Sequence, residues 1–132
     1  RMRLKHELNI DRQQVVGRSI SSMCPICKKS IYPGSSEMHE HLITRKNVQG
    51  CPEEVRKMII VPENCFIVHP GRCHWQAQSF DDGKQKGYNY LVRWTGLDRM
   101  ISFLELMQEN MRSNLPLKVK CDILKERTSV LI

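Results

Sequence analysis

Asn64-Cys65-Phe66-Ile67-Val68-His69-Pro70-Gly71-Arg72-Cys73-His74 is the stretch on which the reading of this chain turns. The short apolar run Cys65 to Val68 is β-compatible, and it leads into His69 and Cys73, which bracket the turn-forming Pro70-Gly71. Two earlier runs complete the pattern, Cys24-Pro25-Ile26-Cys27 and Met38-His39-Glu40-His41-Leu42-Ile43. Together they hold ligand chemistry for two kinds of metal site, a closed one rich in sulfur and an open one of imidazole and carboxylate.

Working outward, Pro33-Gly34 and the serines after it mark a turn, and Glu37 to Ile43 reads as a strand ending near Thr44. Pro52 with Glu53 and Glu54 opens a helix over 53–61 with Val55, Met58 and Ile59 on its apolar face, and Pro62 ends it. Cys65–Val68 then pairs back onto the first strand, giving a hairpin with a helical insertion. His74-Trp75-Gln76-Ala77-Gln78 begins a short helix, and Asp81 to Gly87 reads as a polar loop. Thr95 and Asp98 cap a long helix with Leu97, Met100, Leu104, Met107 and Met111 on one face, a stripe that reads as core packing ahead of a partner surface.

The fold class is therefore α+β, a small hairpin-helix core with a structural zinc site and flanking helices. The expected organisation is a basic arm or helix over 1–22, with a helical stretch from Met2 to Ile10, a core over 23–80, a connector over 81–93, and a C-terminal helix and tail over 94–132.

A chain of 132 residues has room for one domain, in which a structural metal would add usefully to a limited core. Lys and Arg outnumber Asp and Glu by 21 to 14, a net charge of +7 that suits a polyanionic partner such as nucleic acid. No apolar run reaches the length of a membrane span, and Arg1-Met2-Arg3-Leu4-Lys5 is not followed by a signal-peptide core, so the expectation is a soluble, cytoplasmic protein. In a reduced compartment a Cys-x-x-Cys beside histidines points to metal rather than to disulfides, leaving Cys51, Cys65 and Cys121 as free or buried thiols.

Structural zinc takes four tetrahedral ligands, usually as two close pairs on tight turns. Cys24 and Cys27 form one pair, and His69 and Cys73 are expected to form the other, with Cys65 able to replace one of them.

The order of these pieces resembles the HNH endonucleases, including phage-encoded and homing members, with their ββα-metal fold. The residues that carry the resemblance are Cys24 and Cys27, Glu40-His41, Asn64, His69 and Cys73-His74, within residues 23–80. Two departures are a His69-x-x-x-Cys73 knuckle in place of a second Cys-x-x-Cys, and a long connection between the strands. The resemblance implies His41, followed by the apolar Leu42-Ile43, as general base and Asn64 as the residue that orients it and shapes its loop. It implies Glu40 and His74 as ligands of a catalytic Mg2+ or Mn2+, with His39 as the alternative to Glu40.

Arg45, Lys46 and Arg72 are candidate phosphate contacts. The function expected is that of a metal-dependent DNA endonuclease, with RNA left open as substrate, at home in a bacterium or a phage-infected host cell. The alternative is a zinc-stabilised nucleic-acid-binding module without catalysis. The sequence leaves monomer and homodimer equally open.

Overall fold

Both strands of the expected hairpin form, with the helical insertion between them. The computed structural model describes residues 14, 15, 17, 23–31, 35–111 and 119–126. Strand β1, Glu37–Glu40, pairs antiparallel with β2, Cys65–Val68, in the register Glu37↔Val68, Met38↔Ile67, His39↔Phe66 and Glu40↔Cys65. β2 is buried along its whole length, as its unbroken apolar run demands.

β1 stops at Glu40, short of the expected end near Thr44. The cause is Asn64, which is fully buried. Its Oδ1 accepts the N–H groups of Leu42 and Ile43 at 2.8 Å each, and its Nδ2 donates to the carbonyls of Ile43 at 2.7 Å and Ile59 at 2.8 Å. One side chain thus satisfies backbone groups that a longer strand would have paired, and the chain is free to turn.

Between the strands, Pro52 precedes helix α1, Glu53–Arg56, which tightens into a 3-10 turn at Lys57–Ile59. Val55 and Ile59 are buried and Met58 packs beside them, the apolar face that the sequence sets out.

After β2 come α2, Arg72–Ser79, and α3, Asp81–Trp94, separated by Phe80 alone. The loop expected over 81–87, and the connector over 81–93, are corrected by α3. Asp81 and Asp82 sit in its first turn, where carboxylates meet the positive end of the helix dipole. Gly83 and Gly87 are not breakers but close contacts. A Cβ at Gly83 would collide with the Gln76 backbone, and one at Gly87 would come within 2.5 Å of the His41 ring, so these two positions let α3 lie directly on α2 and on that histidine.

Helix α4, Leu97–Met111, buries Met100, Phe103, Leu104 and Met107, with Leu97 and Met111 packed partly against the core. Residues 119–126 are helical and contribute Cys121 and Leu124 to the same core. Among the described residues no helix is long and apolar enough to cross a membrane. The helix expected from Met2 to Ile10 lies outside the described residues.

Candidate metal centre and histidine site

The sulfur-rich ligand set assembles as the spacing suggested. Ligand atoms of Cys24, Cys27, His69 and Cys73 all lie within 4.8 Å of one another. Zn–S bonds of about 2.3 Å in a tetrahedron place donor atoms about 3.8 Å apart, so this arrangement fits zinc in both size and chemistry.

The first knuckle is closed by Lys28 N–H to the Cys24 carbonyl and Cys24 N–H to the Lys29 carbonyl, both at 2.9 Å, with Lys28 in the left-handed region at φ 63°. His69 Nδ1 lies 3.2 Å from Cys27 Sγ and 4.0 Å from Cys73 Sγ. Its Nε2 donates to the Ser30 carbonyl at 3.0 Å, which fixes the tautomer and leaves Nδ1 as the donor atom facing the sulfurs. That contact was not foreseen, and no side-chain pattern marks a backbone carbonyl.

The thiols differ in acidity. Burial opposes ionisation of Cys27, but hydrogen bonds from the Lys29 backbone and from the Cys24, Cys73 and His69 side chains outweigh it and bring the group down to about 7. Burial, followed by the charge of Cys24, pushes Cys73 up to about 12. Crowded sulfurs that cannot all ionise unaided are what a divalent cation would relieve. All six cysteines are free of disulfides, and Cys65 lies outside the cluster, donating its Sγ hydrogen to the Ile59 carbonyl at 3.1 Å.

The second site lies along β1. Period-two alternation along β1 puts Glu37 and His39 on one face and Glu40 on the other, and His41, just past the strand, meets His39 on the first face. His74, from α2, meets that first face: its Nδ1 is 2.5 Å from Glu37 Oε2, and its ring lies 5.3 Å from that of His39. Glu40 instead bonds Arg45 at 2.9 Å. Glu40, on the face of β1 opposite His39, is thus not the neighbour of His74; His39, the alternative ligand, and the unforeseen Glu37 are. Arg45, expected as a phosphate contact, is engaged by Glu40 in a pair whose guanidinium is exposed and whose carboxylate is mostly covered. Lys46 is exposed beside it, and Arg72 is exposed at the start of α2.

His41 lies behind His39, its Nδ1 3.4 Å from His39 Nε2. Its N–H donates to the Asn64 carbonyl at 2.8 Å, and the Asn64 side chain holds the two residues that follow. Tyr88 of α3 meets the ring edge-on at 4.7 Å. Nε2 is buried with no hydrogen-bond partner among the described residues, so Nδ1 is the nitrogen that faces the other histidines. Burial lowers His41 to about 3, with His39, Lys120 and Lys84 adding to the effect. The Lys84 carbonyl acts in the opposite direction without reaching hydrogen-bond geometry. Burial, with His74 beside it, lowers His39 to about 4. Both rings are thus neutral at physiological pH. Lys120 closes the far side by donating its Nζ to the Leu42 carbonyl.

Compared with family models, curated proteins and solved structures, the chain finds no match. What its own geometry gives is an α+β chain with a Cys3His cluster fit to bind a metal, and a separate row of histidines beside a carboxylate.

Proposed function

We propose that the chain is a metal-dependent endonuclease of the HNH type, with the Cys3His cluster as its structural zinc site. The observation that carries the reading is the environment of His41: a buried Asn64 fixes the turn that follows it, while the antiparallel hairpin and α2 bring His39, His74 and Glu37 onto its face. The basic balance of the chain suits the substrate.

In this reading His39 and His74, with Glu37, hold a divalent ion. Two imidazoles and a carboxylate are donor types that suit such an ion, and burial keeps the His39 imidazole uncharged. When bound, the ion would neutralise charge developing at the scissile phosphate and leaving oxygen. His41 accepts the proton of the attacking water at Nδ1, the nitrogen that faces His39. Burial makes it a weak acceptor by itself, and an anionic phosphate placed beside it would raise its proton affinity. Asn64 acts through the backbone of residues 42–43 and is a positioning residue.

Incubation with supercoiled plasmid tests the reading. Relaxed or linear product is expected with magnesium or manganese and not with EDTA. Binding without cutting in every divalent ion would leave the zinc-stabilised nucleic-acid-binding module as the function.

A further inference from the structure

Cys27, His69 and Cys73 of the Cys3His cluster line one side of a cavity of about 920 Å³. Its border includes Lys28 and Lys29 from the first knuckle and Arg72 from the start of α2, and among the described residues no Asp or Glu. All three cations are exposed, and none is in an ion pair among the described residues. A metal-loaded centre of three thiolates, one imidazole and Zn2+ carries one net negative charge, too little to balance three cations. Unpaired positive charge gathered around a concavity this large creates a field that favours an anion of more than one charge.

The cavity is also well placed. Along α2, Arg72, Cys73 and Gln76 border it, while His74, turned by about 100° per residue, reaches the opposite side to meet Glu37. The cavity and the histidine site therefore flank the first turn of α2. A chain of phosphates crossing that turn would meet the positive end of the helix between the two.

We propose that this cavity seats the phosphodiester backbone of a nucleic acid, with Lys28, Lys29 and Arg72 neutralising phosphates next to the segment presented to His74. The proposal rests on the nuclease reading for the position of the cut, and on the cavity alone for binding. Regularly spaced phosphates suit three cations spread around a rim, and the guanidinium of Arg72 can take one of them by two parallel hydrogen bonds.

The test uses the full zinc-loaded chain and fluorescence anisotropy of a labelled DNA duplex across a salt series. The triple variant Lys28→Ala, Lys29→Ala, Arg72→Ala should flatten the slope of log affinity against log salt by about 2 to 3, since each lost contact removes about 0.9. Affinity near 0.1 M salt should fall at least tenfold. A control triple that removes the same charge elsewhere, Arg93→Ala, Arg99→Ala, Lys125→Ala, should retain most of the slope. Equal losses in both triples would reduce the effect to bulk charge and overturn the proposal, as would no loss in the first.

Because Lys28 and Lys29 adjoin a zinc ligand, a second measurement uses the unaltered chain. Acylation of lysines read by mass spectrometry should show both protected when the duplex is bound, and unchanged labelling would overturn the proposal. Polyglutamate that displaces the duplex at equal charge and gives the same protection would point to an acidic protein and also overturn it. If protection and slope behave as expected while no divalent ion supports cutting, the cavity stands and the nuclease reading fails. If plasmid is cut while the cavity triple binds like the unaltered chain, the reverse holds.

Discussion

The Asn64 side chain grips both backbone polar groups of Ile43, accepting its N–H at 2.8 Å and donating to its carbonyl at 2.7 Å. An amide side chain here imitates a strand partner. It ends β1 at Glu40 and sets the direction in which the chain leaves His41.

Replacing Asn64 with Ala should therefore destabilise the fold by at least about 3 kcal/mol, because the N–H groups of Leu42 and Ile43 and the carbonyls of Ile43 and Ile59 would lose their partner in a buried place. Asn64→Asp should also cost stability, since it keeps the acceptor but loses the donor to Ile43 and Ile59. Urea unfolding of the three proteins checks the order, and equal midpoints would contradict it.

Removal of zinc should cost the chain most of its cooperative melting, since the cluster ties the 24–27 knuckle to the start of α2. Metal analysis should find one zinc per chain after dialysis, and Cys24→Ser should lose it. A metal-free protein that melts at the same temperature would contradict the assignment.

Gly87→Ala places a methyl group against the His41 ring, and overpacking of about 1–3 kcal/mol should outweigh the gain of up to about 1 kcal/mol that alanine brings to a helix. The cost should largely vanish in combination with His41→Ala, because the pair then no longer collides. Thermal melts of the double-mutant cycle check this coupling, and additive costs would show that α3 does not rest on His41.

Those close contacts also explain what was legible in the sequence. The hairpin, the α1 turn, the long α4 stripe and the four sulfur-site ligands follow from local patterns of apolar period, proline and knuckle spacing, and these survive in the fold. The segment 81–87 was misread because glycine next to charge usually signals a loop, whereas Gly83 and Gly87 serve contacts to residues far away or in another element. The end of β1 was misjudged because the decisive bonds come from Asn64, more than twenty residues on. The separation of Glu40 from His39 was readable from alternation along the strand, whereas the arrival of His74 on the His39 face depends on where α2 packs and shows only in the fold.

Acid should weaken the fold through His39 and His41. Their folded values, about 4 and about 3, lie below the ordinary 6.5, so the unfolded chain takes up protons first as pH falls. Their contribution is complete above pH 6.5 and is lost on the way down, toward about 4 for His39 and about 3 for His41, by roughly 2 kcal/mol each between pH 6.5 and 5. Histidine ring resonances followed by NMR should show the His39 and His41 imidazoles neutral at pH 5.5, and titration of these two near 6.5 would contradict the burial.

The central claim is that a divalent ion held by His39 and His74, and not by Glu40, serves His41 in phosphodiester cleavage. Single-turnover cutting of plasmid at saturating manganese, with variants at those four positions, tests it most directly. His41→Ala should slow cutting by about a hundred- to ten-thousand-fold, in line with loss of a general base. His39→Ala and His74→Ala should fall comparably, and Glu40→Ala should cut within a few fold of the unaltered chain. Normal cutting by His41→Ala or His74→Ala, or abolition by Glu40→Ala with the fold and zinc intact, would contradict the account.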